Sequence, residues 1–217
     1  MAQVIAIMGE SGAGKTTSLR NLPPTETMYI DADGKGLSWR GWRSNFSREN
    51  GNYFQESSKD MIVKILEGVN SNEKLKHIKY VVVDTFNGVM VDDEFGRMKE
   101  KNFDKWYDLA AAVYGIIKYM LLMRDDLTCL CLFHSQTERD DNTGNAWTRI
   151  KTNGRKLDKI VLESKFTTVL LAKCVDGQHV FEVHANNSTA KTPMGAFEEN
   201  TVPNDIIEVL KVLEDYR

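Results

Sequence analysis

Residues 9–16 read Gly-Glu-Ser-Gly-Ala-Gly-Lys-Thr, the pattern GxxxxGK[ST], and a continuous apolar run from Val4 to Met8 leads into them. A glycine-rich turn between a buried strand and a helix is built to hold phosphate. Glycines permit positive φ angles and close approach, so the backbone N–H groups of Gly9, Glu10, Ser11, Gly12, Ala13 and Gly14 can converge on an anion. Lys15 would neutralise β- and γ-phosphate oxygens, Thr16 would offer a hydroxyl to Mg²⁺, and Thr17 belongs with the nucleotide contacts. Lys15 to Asn21, stopped by Pro23 and Pro24, predicts a short helix whose positive end adds to the pull on phosphate. The ligands predicted are ATP and Mg²⁺.

The rest of the chain fits one α/β domain around that turn. With 217 residues, 41% hydrophobic and 27% charged, the composition excludes wholesale disorder, and 4 prolines and 15 glycines exclude collagen-like or proline-rich architectures. A net charge of -3 confines any phosphate-binding surface to a local patch. The opening MAQVIAIMGE has neither a charged n-region nor a cleavage site, and the apolar stretch Leu109 to Met123 is short for a bilayer and carries Lys118. Three cysteines (Cys129, Cys131 and Cys174) form no CxxC pair, so the expectation is a soluble protein of a reducing cytoplasm, with no membrane partner.

Further strands are predicted at Thr27 to Ile30, at Tyr80 to Val83 and at Thr128 to Phe133, the last ending at His134. Helical spacing marks Asp60 to Val69, one or two helices within 92–124, and Asp205 to Tyr216. Phe166 to Cys174 and His179 to His184 flank Asp176-Gly177, a hairpin signal. Residues 34–58 have no clear assignment. The polar stretch Glu138 to Arg155 shows no hydrophobic period and reads as a long functional loop. Strands alternating with helices give a mostly parallel sheet with a late antiparallel hairpin.

Asp84 follows four apolar residues, the place of an acidic side chain that holds Mg²⁺ through water at a strand's C-terminal end, although a helix N-cap is its plainer use. Arg139, Arg149, Lys151, Arg155 and Lys156, with Trp147 as a stacking candidate, supply what non-specific single-strand binding needs. Glu138, Asp140 and Asp141 dilute that charge, so a solvated surface loop is the alternative. Trp39-Arg40-Gly41-Trp42-Arg43 is a second basic-aromatic stretch whose tryptophans suit core or interface anchors better.

The order of these features resembles RecA-type ATPases. YIDADGKGL at 29–37 is similar to their second core strand, which implies that Asp33 polarises the attacking water. Glu10 competes for that role, and an Asx turn at Asp31 and Asp33 is the plainer reading. The resemblance makes His134 or Gln136 a γ-phosphate sensor ahead of a DNA-contacting loop. Trp106-Tyr107-Asp108-Leu109 and the segment Asn186 to Phe197 resemble the phage nucleotide-binding AAA-domain family, core-only RecA paralogues that assist single-strand annealing. The resemblance runs from the phosphate loop to about Phe197 and implies a three-layer RecA-like P-loop NTPase core. It implies that Lys191 reaches a neighbour's γ-phosphate within a homo-oligomeric ring or filament. Single-stranded DNA and a single-strand-binding protein would be the partners, in a bacterial host's cytoplasm if the chain is phage-encoded. Two other classes share the phosphate loop: a small-molecule kinase, which needs an acceptor lid, and a nucleotide-dependent assembly switch.

Overall fold

The apolar run at the chain's start becomes strand β1 (Gln3–Gly9), and strands β2 (Thr27–Asp31), β3 (Tyr53–Gln55) and β4 (Tyr80–Asp84) follow. A computed structural model describes residues 1–100, 104–139, 144–152 and 161–216, with the backbone alone at 104–107, 109 and 110. The later strands are β5 (Thr128–Arg139), β6 (Ala146–Ile150), β7 (Thr168–Val175), β8 (Gln178–Glu182) and β9 (Thr201–Pro203). Among the described residues the sheet has nine strands and runs β3-β2-β4-β5-β1-β7-β8-β9, with β6 paired to β5. From β3 through β7 every pairing is parallel, while β8, β9 and β6 join antiparallel. The mixed α/β core with its late hairpin is therefore present, and β5 stands between β1 and β4.

Period-two alternation divides each central strand between two cores. Val4, Ala6, Met8, Val81, Val83, Cys129, Cys131 and Phe133 face one side, where α2 (Lys59–Ser71), α3 (Phe86–Gly96) and α4 (Asp104–Leu121) cover them. Ile5, Ile7, Tyr29, Val82, Leu130 and Leu132 face the other, under α5 (Ile206–Leu213) and the segment containing α1 (Trp42–Asn45). Burying a valine, leucine or isoleucine fully contributes about 1.5–3 kcal/mol, so the parallel strands at the centre form a firm base for the site. Val113, Ile116, Ile117 and Met120 on α4 are buried, as their spacing requires.

Three expectations are corrected. The helix expected at Lys15 to Asn21 is only a three-residue 3-10 turn, Thr17–Leu19. Thr16, Thr17 and Ser18 are weak helix formers, the Ser18 hydroxyl bonds back to the Lys15 carbonyl at 2.6 Å, and the prolines leave no room to propagate. The described residues of the stretch 138–155 are not a structureless loop. β5 continues past His134 to Arg139 and pairs with β6, because Thr137, Trp147, Thr148 and Ile150 favour extended backbone despite their charged neighbours. Of the one or two helices expected within 92–124, the first begins earlier, at Phe86, where the Thr85 side chain caps the Gly88 N–H.

Residues 34–58 fold around aromatic contacts. Trp42 packs on Tyr53 with ring centroids 5.1 Å apart, Trp39 on Phe46 at 6.1 Å, and Phe46 on Tyr29 at 5.9 Å. The tryptophans are anchors of this cluster.

Candidate functional site

The C-terminal edge of the parallel sheet gathers the ends of β1, β2, β4 and the parallel part of β5, where Gly9 lies beside His134 and Asp31 beside Asp84. Open α/β sheets bind ligands at this edge. Gly9 must be glycine, since a Cβ there would stand 2.6 Å from the Ala172 carbonyl oxygen. Gly12 and Gly14 turn the loop with φ of 81° and 95°. Without a regular helix behind it, the loop has no helix macrodipole of consequence, and its pull on an anion rests on N–H groups and on Lys15.

Lys15 is buried, and its ammonium donates to the carbonyls of Gly9 and Glu10 at 2.8 Å each. Burial lowers its pKa to about 8, against the opposing pull of Asp84. Two neutral carbonyls compensate this charge poorly, so a polyphosphate would be a better partner. Glu10 is solvent-exposed on a cleft of about 390 Å³ shared with Ser11, Gly12, Ser135 and Thr148.

Thr16 donates to Asp84 Oδ2 at 2.7 Å, and the buried Tyr29 hydroxyl donates to the same oxygen at 2.7 Å. Asp84 is 1% exposed, and its Oδ1 has no hydrogen-bond partner. A hydroxyl beside a buried carboxylate oxygen that lacks a donor is an all-oxygen set that fits a hard divalent cation. Among the described residues no three His, Cys, Asp or Glu side chains cluster as a metal cage, so such a cation would need phosphate and water oxygens as well.

The two aspartates of the acidic turn part company. Asp31 is buried and spent on structure: it accepts from Gly34 N at 3.0 Å, Gly36 N at 2.8 Å and the Tyr53 hydroxyl at 2.6 Å. Asp33 accepts from the Thr85 hydroxyl at 2.9 Å and from Lys35 at 2.6 Å, and Lys35 Nζ also lies 3.6 Å from Asp84 Oδ1. Burial raises the Asp33 carboxyl, but Lys35 and Thr85 outweigh it and hold the group below its ordinary value. Burial likewise opposes the Lys35 charge, and Asp84 with Asp33 overcomes that to raise its pKa. Asp33, rather than Glu10, is joined through Thr85 and Lys35 to the Asp84 network.

His134 is half-buried, and its pKa is lowered by burial and by the nearby charge of Lys15, so the ring is neutral at neutral pH. Beyond it, His134, Gln136 and Glu138 share one face of the β5–β6 hairpin with Trp147, Arg149 and Lys151, by strand alternation and register. Gln136 donates to Glu138 at 2.9 Å, and Arg149 lies 3.4 Å from the same carboxylate, with 13% of its side chain exposed. Trp147 is 38% exposed, and Arg139 and Lys151 are exposed. Arg155 and Lys156 lie outside the described residues, as do residues 140–143. Lys191 is fixed by its backbone to Val169, at 2.8 and 2.9 Å, with its side chain half-buried.

Three residues of this site escaped the sequence reading. Tyr29 looked like one more strand aromatic. Lys35 reads in the sequence only as part of a turn, and its reach to Asp84 depends on the packing of β2 beside β4. Asn87 had no signal: it accepts from His134 N at 2.7 Å and donates to the Lys151 carbonyl at 3.1 Å, tying α3 to both strands of the hairpin.

Comparison with known families gives a match to a model described as AAA domain over residues 1–194. No curated protein matches the chain. Among the described residues no helix is long and apolar enough to cross a membrane.

Proposed function

This chain belongs to the AAA-domain family, of P-loop ATPase type, and we infer that it is an ATPase that binds single-stranded DNA and acts in annealing or recombination. The reading extends to the phage RecA-like kind, working as a homo-oligomer beside a single-strand-binding protein. One observation carries it: β5 runs unbroken from His134, at the phosphate loop, into a hairpin whose same face bears Trp147, Arg149 and Lys151. An exposed indole with cations on one strand pair suits the stacking and charge neutralisation that sequence-tolerant strand binding uses.

In this scheme the loop amides and Lys15 receive the ATP phosphates, and Lys15 exchanges two carbonyls for phosphate oxygens. Thr16 and Asp84 would hold Mg²⁺, which when bound would neutralise phosphate charge. Asp33 is ionised at neutral pH and orients the attacking water, with Thr85 fixing its carboxylate. The neutral imidazole of His134 hydrogen-bonds to the γ-phosphate and reports its presence along β5, with Gln136 next on that face. Asn87 keeps the two strands of the hairpin in step at its base. Lys191 extends toward the neighbouring subunit's γ-phosphate and stabilises charge developing during hydrolysis.

The test is ATP turnover with and without single-stranded DNA. Hydrolysis should rise with DNA, vanish in Lys15→Ala, and respond weakly to DNA in the double variant Arg149→Ala, Lys151→Ala. Turnover indifferent to DNA, together with no DNA binding at low salt, would overturn the DNA role and leave an ATPase of another purpose.

A further inference from the structure

The hydrogen bonds around Asp84 leave one oxygen open. Oδ2 is taken by Thr16 and Tyr29, whereas Oδ1 is buried and accepts nothing. Asp31 is fully engaged by Gly34, Gly36 and Tyr53, and Lys15 is turned back onto the phosphate loop. The cation that faces the open oxygen is Lys35, with Nζ 3.6 Å away while it donates to Asp33 at 2.6 Å. A buried carboxylate oxygen left uncompensated is costly, and a nearby ammonium offsets that cost without entering hydrogen-bond range.

We infer that the Lys35 ammonium is a tethered counter-ion at the metal position, which a divalent cation must displace from Asp84 before the site can load. Lys35 sits between Gly34 and Gly36, both at positive φ (66° and 81°), on a turn that Asp31 pins from below. Its side chain is 45% exposed, so it can withdraw to solvent while the turn stays in place. A divalent ion would bring twice the charge to Asp84, so it would outcompete the ammonium once phosphate and water oxygens complete its shell. Without nucleotide the lysine prevails, and idle metal stays out. The role rests on the metal-nucleotide reading of this site and is independent of DNA.

The experiment titrates Mn²⁺ into the full chain without nucleotide and follows free Mn²⁺ by electron paramagnetic resonance. Lys35→Gln should bind Mn²⁺ about two- to fivefold more tightly than the unaltered chain, the range expected for removing one partly screened ion pair. Lys35→Arg, which keeps the charge, should show no gain, and adding Asp84→Asn to Lys35→Gln should cancel it. Equal affinity of Lys35→Gln and the unaltered chain would overturn the inference, as would the same gain in Lys35→Arg. Mn²⁺-ATP binding separates the two levels. If Asp84→Asn weakens it while Lys35→Gln shows no nucleotide-free gain, only the lysine's role falls; if Asp84→Asn leaves it unchanged, the metal site falls as well.

Discussion

Lys15 carries the clearest consequence of pH. In the nucleotide-free fold its pKa is about 8, below the ordinary 10.5, because its charge is buried. A lysine depressed in the fold weakens stability below about pH 8, and the penalty lifts as pH rises toward about 10.5, since the unfolded chain then binds more protons. Binding of the triphosphate demands the charged form, so affinity should hold below about pH 8 and fall about tenfold by pH 9, with close to one proton taken up per nucleotide. Calorimetry in buffers of different ionisation enthalpy measures both quantities, and a pH-independent affinity would show that Lys15 is not the phosphate partner. Asp84→Asn should lower turnover by about 10²–10³, the scale of losing a preorganised electrostatic group, with a smaller effect on nucleotide affinity. Steady-state kinetics beside equilibrium binding separates the two. Lys15, Thr16 and Asp84 could be read from the sequence because their spacing follows from a strand, a turn and a second strand end. Lys35 and Tyr29 could not, since their contacts depend on how β2 packs beside β4.

Elements met their sequence signals where burial dictates pattern. The runs Val4 to Met8 and Tyr80 to Val83 are apolar throughout because both sheet faces are covered, and they became β1 and β4. The β5–β6 hairpin was obscured because its exposed face carries charge, and its strands are held by backbone pairing and by Asn87 and Glu163 rather than by an apolar stripe. The Glu163 carboxylate accepts from Ile150 N at 2.9 Å. Trp147→Ala should weaken single-strand affinity by about 1–3 kcal/mol if a base stacks there, and Lys151→Ala should reduce the salt slope by about 0.7. Fluorescence anisotropy across a salt series reads both, and unchanged values in the two variants would remove the hairpin from the DNA surface. Gly88 on α3 gives a second test. A Cβ there would stand 2.6 Å from the Ala32 carbonyl oxygen and 2.7 Å from Asp33 Oδ1. Gly88→Ala should therefore cost about 1–3 kcal/mol of stability and lower kcat while nucleotide affinity holds. Thermal melts and turnover together check it, and full activity would argue against Asp33 as the water-orienting group.

The fold is built on one sheet whose central strands deliver loops to a single edge, with antiparallel strands added outside. If Lys191 acts on a neighbouring subunit, mixing inactive Lys15→Ala with inactive Lys191→Ala chains should regenerate competent sites, about a quarter of the total in a random equimolar ring. No recovery on mixing would confine the lysine to its own chain. All of these arrangements presuppose that the turn after β1 holds Mg²⁺-ATP. Isothermal titration of Mg²⁺-ATP into the purified, folded chain tests that most directly. One nucleotide per chain, abolished by Lys15→Ala in a protein that still melts cooperatively, is the predicted result; no heat of binding from the unaltered chain would contradict the account at its root.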